Sequence, residues 1–153
     1  MKNYNEIIDK LQQLAITDQF INSVTKGSID RLTNAKIDMY PICHIQINSM
    51  QIIGNISVYN VSFILMDIID VNKEDTPTLF YGNDNEDYIL HTMNEVALHF
   101  YEQFRRGTFS DTWTIHLYGE TASVEYFSDR LIDKVAGCTL TLDLAINHQS
   151  TVC

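Results

Sequence analysis

Near the start of the chain, Tyr4, Ile7, Ile8, Leu11, Leu14 and Ala15 recur at three- and four-residue spacing, while Asn5, Glu6, Asp9, Lys10 and Gln12 fill the positions between them. That period puts the apolar residues on one stripe and predicts an amphipathic first helix. The short β-prone piece Phe20 to Thr25 follows, then a polar connection, TKGSIDRLTNAKID, with a glycine near its head. From Pro41 the period becomes two, with Cys43, Ile45 and Ile47 on one side and His44, Gln46 and Asn48 on the other, the pattern of a strand with one wet face. In the run Ile52 to Asp70 both alternating sets are apolar in the second half, Val61, Phe63 and Leu65 against Ile64, Met66 and Ile68. A strand covered on both faces is expected, either by the protein's own helices or by a neighbouring subunit.

The polar loop VNKEDTPTLFYGNDNED, with Pro77, Gly82 and an Asn/Asp cluster, separates this run from a second helix expected to begin near Asn85. Its core stripe is Ile89, Met93, Val96, Ala97, Phe100 and Phe104, and Arg105, Arg106 and Gly107 close it. Cationic side chains suit the negative end of the helix dipole, and glycine accepts the conformation that ends a helix. Three alternating segments follow: Trp113, Ile115 and Leu117; Ala122, Val124 and Tyr126; and Cys138, Leu140, Leu142, Leu144 and Ile146. Gly119, Glu120 and Thr121 are expected to join the first two as a hairpin, and SDRLIDKVAG, with Ser128 as N-cap, to form a short helical turn. The order predicts an α+β fold, a mostly antiparallel sheet packed by two main helices. Residues 1–153 are expected to form a single structural domain, with a flexible tail from about residue 148.

Composition narrows the function. The chain has a formal net charge of −10, with its acids spread along it, so a large basic groove for gripping phosphates is not expected. An acidic surface would suit only a conduit, through which DNA passes as a weakly contacted polymer. The opening MKNYNEIIDKLQQ lacks the basic and apolar regions of a secretory signal. The longest mainly apolar stretch, Val58 to Val71, is broken by Tyr59, Asn60, Ser62, Asp67 and Asp70 and falls short of the roughly 20 residues that span a bilayer as a helix, so no membrane role is expected. Cys43, Cys138 and Cys153 are odd in number with no CxxC spacing, which argues against a disulfide framework and a zinc site; the first two read as small core hydrophobes.

Candidate chemistry is sparse. His91, Glu95 and His99 stand at i, i+4 and i+8 of the second helix, the most enzyme-like pattern in the chain. Each step of four turns about 40°, so the outer pair diverges by about 80° and lies about 12 Å apart along the axis, too far for one metal ion. The stripe reads as solvated or subunit-facing. Asp67 and Asp70, with Asp84, Glu86 and Asp87 at the start of the second helix, raise paired-carboxylate chemistry, but acids at a helix start are better explained by capping and the dipole. Neither a phosphate-binding glycine loop nor a GxSxG elbow is present. No cofactor, metal or catalytic residue is assigned. The candidate subunit or partner contacts are Lys73, Glu74, Asp75, Tyr81, His91, Glu95, His99 and Cys153.

Three pieces together, YGNDNE (Tyr81 to Glu86) leading into a long helix, FSDRLIDKVAGCTLTLDLAI (Phe127 to Ile146) and the final TVC (Thr151 to Cys153), resemble small tail and neck proteins of tailed bacteriophages, particularly those of crAss-like phages and other phages of Bacteroidetes. In order of elements the family is similar to tail terminators and tail-completion proteins. Cys138 stands where a tryptophan often follows the Ala136 and Gly137 pair in that pattern. The resemblance implies a tail-terminator-like fold and a non-enzymatic, ring-forming homo-oligomer at the head-tail junction. Portal, adaptor or tail proteins are its implied partners, and synthesis in the host cytoplasm and residence in the virion neck or tail its implied location. Two other readings remain open: a regulatory adaptor that binds a host protein, and a metal-dependent enzyme using His91, Glu95 and His99.

Overall fold

The structure, a computed structural model, describes residues 4–29, 39–69, 86–106, 115–130 and 135–147. In chain order the elements are α1 (Tyr4–Ile16), β1 (Ser23–Lys26), β2 (Ile42–Ile53), β3 (Ile56–Ile68), α2 (Glu86–Arg106), β4 (Ile115–Arg130) and β5 (Val135–Asn147). The strands form one sheet in the order β1-β2-β3-β5-β4. β1 runs parallel to β2 and the other pairs are antiparallel, so the α+β architecture with a mostly antiparallel sheet is found as expected.

Both helices lie on one face of the sheet. The α1 residues Ile7, Ile8, Leu11, Leu14 and Ala15 are buried as the periodicity requires, although Tyr4, read as part of that stripe, is half exposed. The whole α2 stripe from Ile89 to Phe104 is buried. These residues meet Cys43, Ile45, Val61, Phe63, Leu65, Cys138, Leu140, Leu142 and Leu144, the helix-side set of the three inner strands. Phe63 is the centre of this contact. Its ring stands edge-on to Phe100 at 5.4 Å and tilted against Phe104 at 6.0 Å, arrangements worth about 0.5–1.5 kcal/mol each beyond area burial.

The long apolar run is not one strand. It is divided at Gly54 and Asn55 into the two arms of a hairpin, β2 and β3. Gly54 supplies the positive φ of +57° at the first turn residue, where a two-residue hairpin of the II′ kind favours glycine. The second face of β3 is also covered within the chain. Ile64 and Met66 cluster with Tyr40, Ile42 and Val135, and Ile29, Met39, Ile68 and Phe127 pack around them. The apolar second face of β3 is thus covered by residues of the chain itself, from the strand ends and the segment before β2 and not from the helices that the sequence suggested. Farther along the same face the chain turns polar. Asn48 donates to Asn60 and Ser62, Asn60 donates to Asp143, and Ser62 shares a hydrogen bond with Thr141, a ladder spanning β2, β3 and β5.

The hairpin expected at Gly119 to Thr121 is a bulge instead. β4 continues antiparallel to β5 on both sides of it, with Leu117 opposite Leu144 and Ala122 opposite Leu142, and the surplus residues loop out through the positive φ values of Gly119 (78°) and Glu120 (50°). The Tyr101 hydroxyl on α2 fixes the loop by donating to the Glu120 carbonyl at 2.8 Å. Of the segment expected to form a helical turn, Ser128 to Arg130 end β4 and Val135 to Gly137 begin β5, while residues 131–134 lie outside the described set.

At the other end of the sheet His44, fully buried, clips β1 to β2. Its Nε2–H donates to the Gly27 carbonyl at 2.8 Å, so Nδ1 accepts from the Thr25 hydroxyl at 2.7 Å. Burial lowers the pKa of the ring, outweighing the opposing hydrogen bond to Gly27, which suits a neutral imidazole that both donates and accepts.

Gly137 sits where β5 crosses closest to β3. A Cβ there would stand 1.8 Å from the Leu65 carbonyl oxygen, a backbone atom that no side-chain rotation moves aside. Gly137→Ala is therefore expected to destabilise the protein by about 3 kcal/mol or more. Urea unfolding of the two proteins checks this; a midpoint shift corresponding to under about 0.5 kcal/mol would contradict the close approach.

Candidate functional site

Where α1 ends, Thr17 turns its hydroxyl back onto the Leu14 carbonyl at 2.6 Å, and Asp18 takes over the turn. Asp18 Oδ1 accepts the Phe20 amide at 2.9 Å, the local side-chain-to-backbone bond that favours aspartate in turns. Its other oxygen, Oδ2, lies 3.2 Å from Nδ1 of His99 on α2. The carboxylate is almost wholly buried, whereas the imidazole is half exposed. With Nδ1–H donating to Asp18, Nε2 is left to accept from the Gln103 amide at 3.1 Å. This chain of contacts ties the exit of α1 to the outer side of α2. Thr17, Asp18, Gln19, Phe20, Glu95, Val96 and His99 line the resulting open cleft of about 400 Å³.

The His91, Glu95 and His99 stripe does not converge. His99 is turned towards Asp18 and Glu95 borders the same cleft, while His91 lines a second groove with Leu90, Asn94 and Tyr126. There the Tyr126 hydroxyl donates to Asn94 Oδ1 at 2.6 Å and holds β4 against α2. Among the described residues no group of three or more His, Cys, Asp or Glu side chains is placed to hold a metal ion.

An acid, an imidazole and a hydroxyl in one cleft invite comparison with nucleophilic catalysis. The Thr17 hydroxyl, however, spends its proton on a backbone carbonyl one turn back. The two thiols among the described residues are equally unsuited to attack. Cys43 and Cys138 are buried on either side of Leu65, and burial pushes the Cys43 pKa far up and that of Cys138 to about 12, which suppresses the reactive thiolate. Two strand spacings separate them, about 9.6 Å, too far for a disulfide.

Of the remaining candidates, Asp67 is half-buried at the end of β3. Burial raises its carboxyl pKa, and the Ile68 amide bond opposes the rise. Glu86 and Asp87 lie in the first turn of α2, where acids suit the helix dipole. Arg105 and Arg106 both turn onto Glu102, whose carboxyl is held below its usual range chiefly by the Arg105 hydrogen bond. Lys73, Glu74, Asp75, Tyr81, Asp70, Asp84 and Cys153 lie outside the described residues, as do the Asn72 to Tyr81 loop and the tail from 148.

Among the described residues, the β2–β3 hairpin carries an unusual surface. Between Asp38 and Asp67 the sequence carries no Asp, Glu, Lys or Arg, in a chain in which 20% of residues are charged. Asn48 to Ile53 are all exposed, and among them Met50 (48%), Ile52 (66%) and Ile53 (40%) present apolar side chains to solvent. β1 covers only Ile42 to Ile45, so the outer edge of β2 beyond that point has no strand partner among the described residues. Periodicity alone did not single out this edge. Its two signals in the sequence are the uncharged run and the Gly54–Asn55 turn.

A scan against protein-family models finds no match, and a search of curated proteins returns none. Among the described residues no helix is long and apolar enough to cross a membrane.

The cleft is expected to serve the fold more than chemistry. Asp18→Ala removes the acceptor for the part-buried Phe20 amide and is expected to cost about 1–2 kcal/mol, whereas His99→Ala, on the half-exposed side of the pair, should cost under about 1 kcal/mol. Denaturant unfolding of both single variants and the double variant checks this. Equal costs for the two single variants would contradict it.

Proposed function

We propose that this chain is a virion structural protein, a self-assembling subunit of a ring in the neck or tail of a tailed phage that contributes to the DNA conduit. The observation that carries the reading is the uncharged, exposed outer edge of β2. Copies of a chain with net charge −10 repel one another over most of their surface. A neutral strand with solvent-facing methionine and isoleucine is where they approach at least electrostatic cost and remove apolar area from water. The phage assignment itself comes from the resemblance of Tyr81 to Glu86, Phe127 to Ile146 and Thr151 to Cys153. Portal, adaptor and tail proteins are its partners on that reading.

The acidic balance supports a channel that passes DNA without holding it. Stationary binding needs Lys and Arg on phosphates, and Arg105 and Arg106 are engaged with Glu102. The metal-enzyme reading is the weaker one, since His91 and His99 border different grooves.

Imaging of purified phage particles in which this chain carries a small tag tests the proposal. A symmetric ring of several copies at the head-tail junction is the expected result. Particles that lack the chain, or carry it as a single copy, would overturn the reading.

A further inference from the structure

The two edges of the sheet are built differently. On β4 the looped-out Tyr118 to Thr121 segment interrupts the edge, and the acids Glu120 and Glu125 are exposed along the strand, both devices that keep an edge from pairing with another chain. β2 has neither beyond its bulge. The register shift between Ile47 and Ser49 leaves Asn48 and Ser49 opposite Asn60, and the Asn48 side chain is held there by Asn60 and Ser62. The extra residue resets the alternation, so that Met50, opposite Tyr59, and Ile52, opposite Ser57, face the helix side along with Cys43, Ile45 and Ile47. From Ser49 to Ile53 the strand is regular.

The ladder also fixes which backbone groups are free. A two-residue turn is closed by a hydrogen-bonded pair, here Ile53 and Ile56, and such pairs alternate along an antiparallel ladder. Gln51 and Ile53 therefore direct their N–H and C=O groups to β3, while Met50 and Ile52 direct theirs outward. Outward groups two residues apart match their own copy across a two-fold axis through Gln51. Met50 then stands opposite Ile52 of the second copy as a hydrogen-bonded pair, and Gln51 opposite its own counterpart as a non-hydrogen-bonded pair.

We propose that this edge is a self-pairing site, at which the Ser49–Ile53 segments of two copies join antiparallel about Gln51 into one continuous sheet. Charge selects the occupant. A second copy meets the edge with the same uncharged strand, and the pairing covers the exposed apolar side chains of Met50 and Ile52 from both copies. The interface is isologous and closes at two copies. It rests on the proposed assembly only in using the same edge, and a ring built from such pairs alternates this contact with a second surface.

The contact is short, of the size of transient interfaces, and a covalent trap reads it directly. In the full chain carrying Cys153→Ser, Gln51→Cys places two thiols across the axis at a Cα separation of about 4.5 Å, within disulfide range, while Cys43 and Cys138 stay buried. With oxidised glutathione as electron acceptor, Gln51→Cys is expected to give predominantly covalent dimer. Gln46→Cys, on the same strand but outside the pairing segment, is expected to stay monomeric. Ile52→Lys, at a position already 66% exposed, is expected to weaken self-association in sedimentation at least tenfold without loss of secondary structure. A folded Gln51→Cys protein that remains monomeric, or equal cross-linking at 46 and 51, would overturn the pairing. Rings in particles with Gln51→Cys unlinked would remove the edge pairing and leave the assembly reading standing. Covalent pairs from a chain absent from particles would do the reverse.

Discussion

β3 is the constraint on which the remainder depends. Every residue from Ile56 to Ile68 is paired with β5, and Ile56 to Met66 are paired with β2 as well, apart from the bulge. A strand bonded on both edges leaves its side chains as its only variable surface. Phe63 and Leu65 on one side fix the helices, while Ile64 and Met66 on the other fix the start of β2 and the end of the β4–β5 pair. Gly137 allows β5 to come close enough for this, and the Asn60 and Ser62 hydrogen bonds carry the register to the polar end of the sheet.

With β3 paired on both edges inside the chain, the assembly contact proposed above lies farther out, on β2. Near its start β2 is covered by β1 and pinned through His44 to Thr25 and Gly27; past Ile45 that cover ends. The transition coincides with a change from buried to exposed residues along one strand. On an acidic body, an uncharged edge is where the proposed self-contact meets little charge repulsion. The α1–α2 cleft, by contrast, spends its polar groups internally, with Asp18, His99 and Gln103 forming a structural relay.

Much of this was legible in the sequence, and the gaps have physical causes. Helical periodicity located α1 and α2 because a buried stripe repeats over several turns, and the α2 stripe matches residue for residue. Period-two reading failed where the phase is reset. Apolar residues flank both sides of Gly54–Asn55, so the turn hid inside what read as a single strand. The extra Asn48 puts Met50 and Ile52 out of phase in sequence with Ile45 and Ile47, although the register places them on the same face. At Gly119 and Glu120 the opposite error arose, because glycine beside a residue able to take positive φ serves a bulge as well as a hairpin. The divergence of His91 from His99 followed from helix geometry alone. The partner of His99 did not, since Asp18 lies 81 positions away in the sequence and only the fold brings it within reach.

Assembly through the uncharged edge of β2 would leave its mark in residue-resolved amide hydrogen exchange measured at several protein concentrations. Exchange at Gln51 and Ile53 is expected to be slow at every concentration, because their amides point to β3. At Met50 and Ile52 it is expected to be fast in dilute solution and to slow as the concentration rises. Protection at Met50 and Ile52 that is the same at all concentrations, whether high or low, would contradict assembly through this edge.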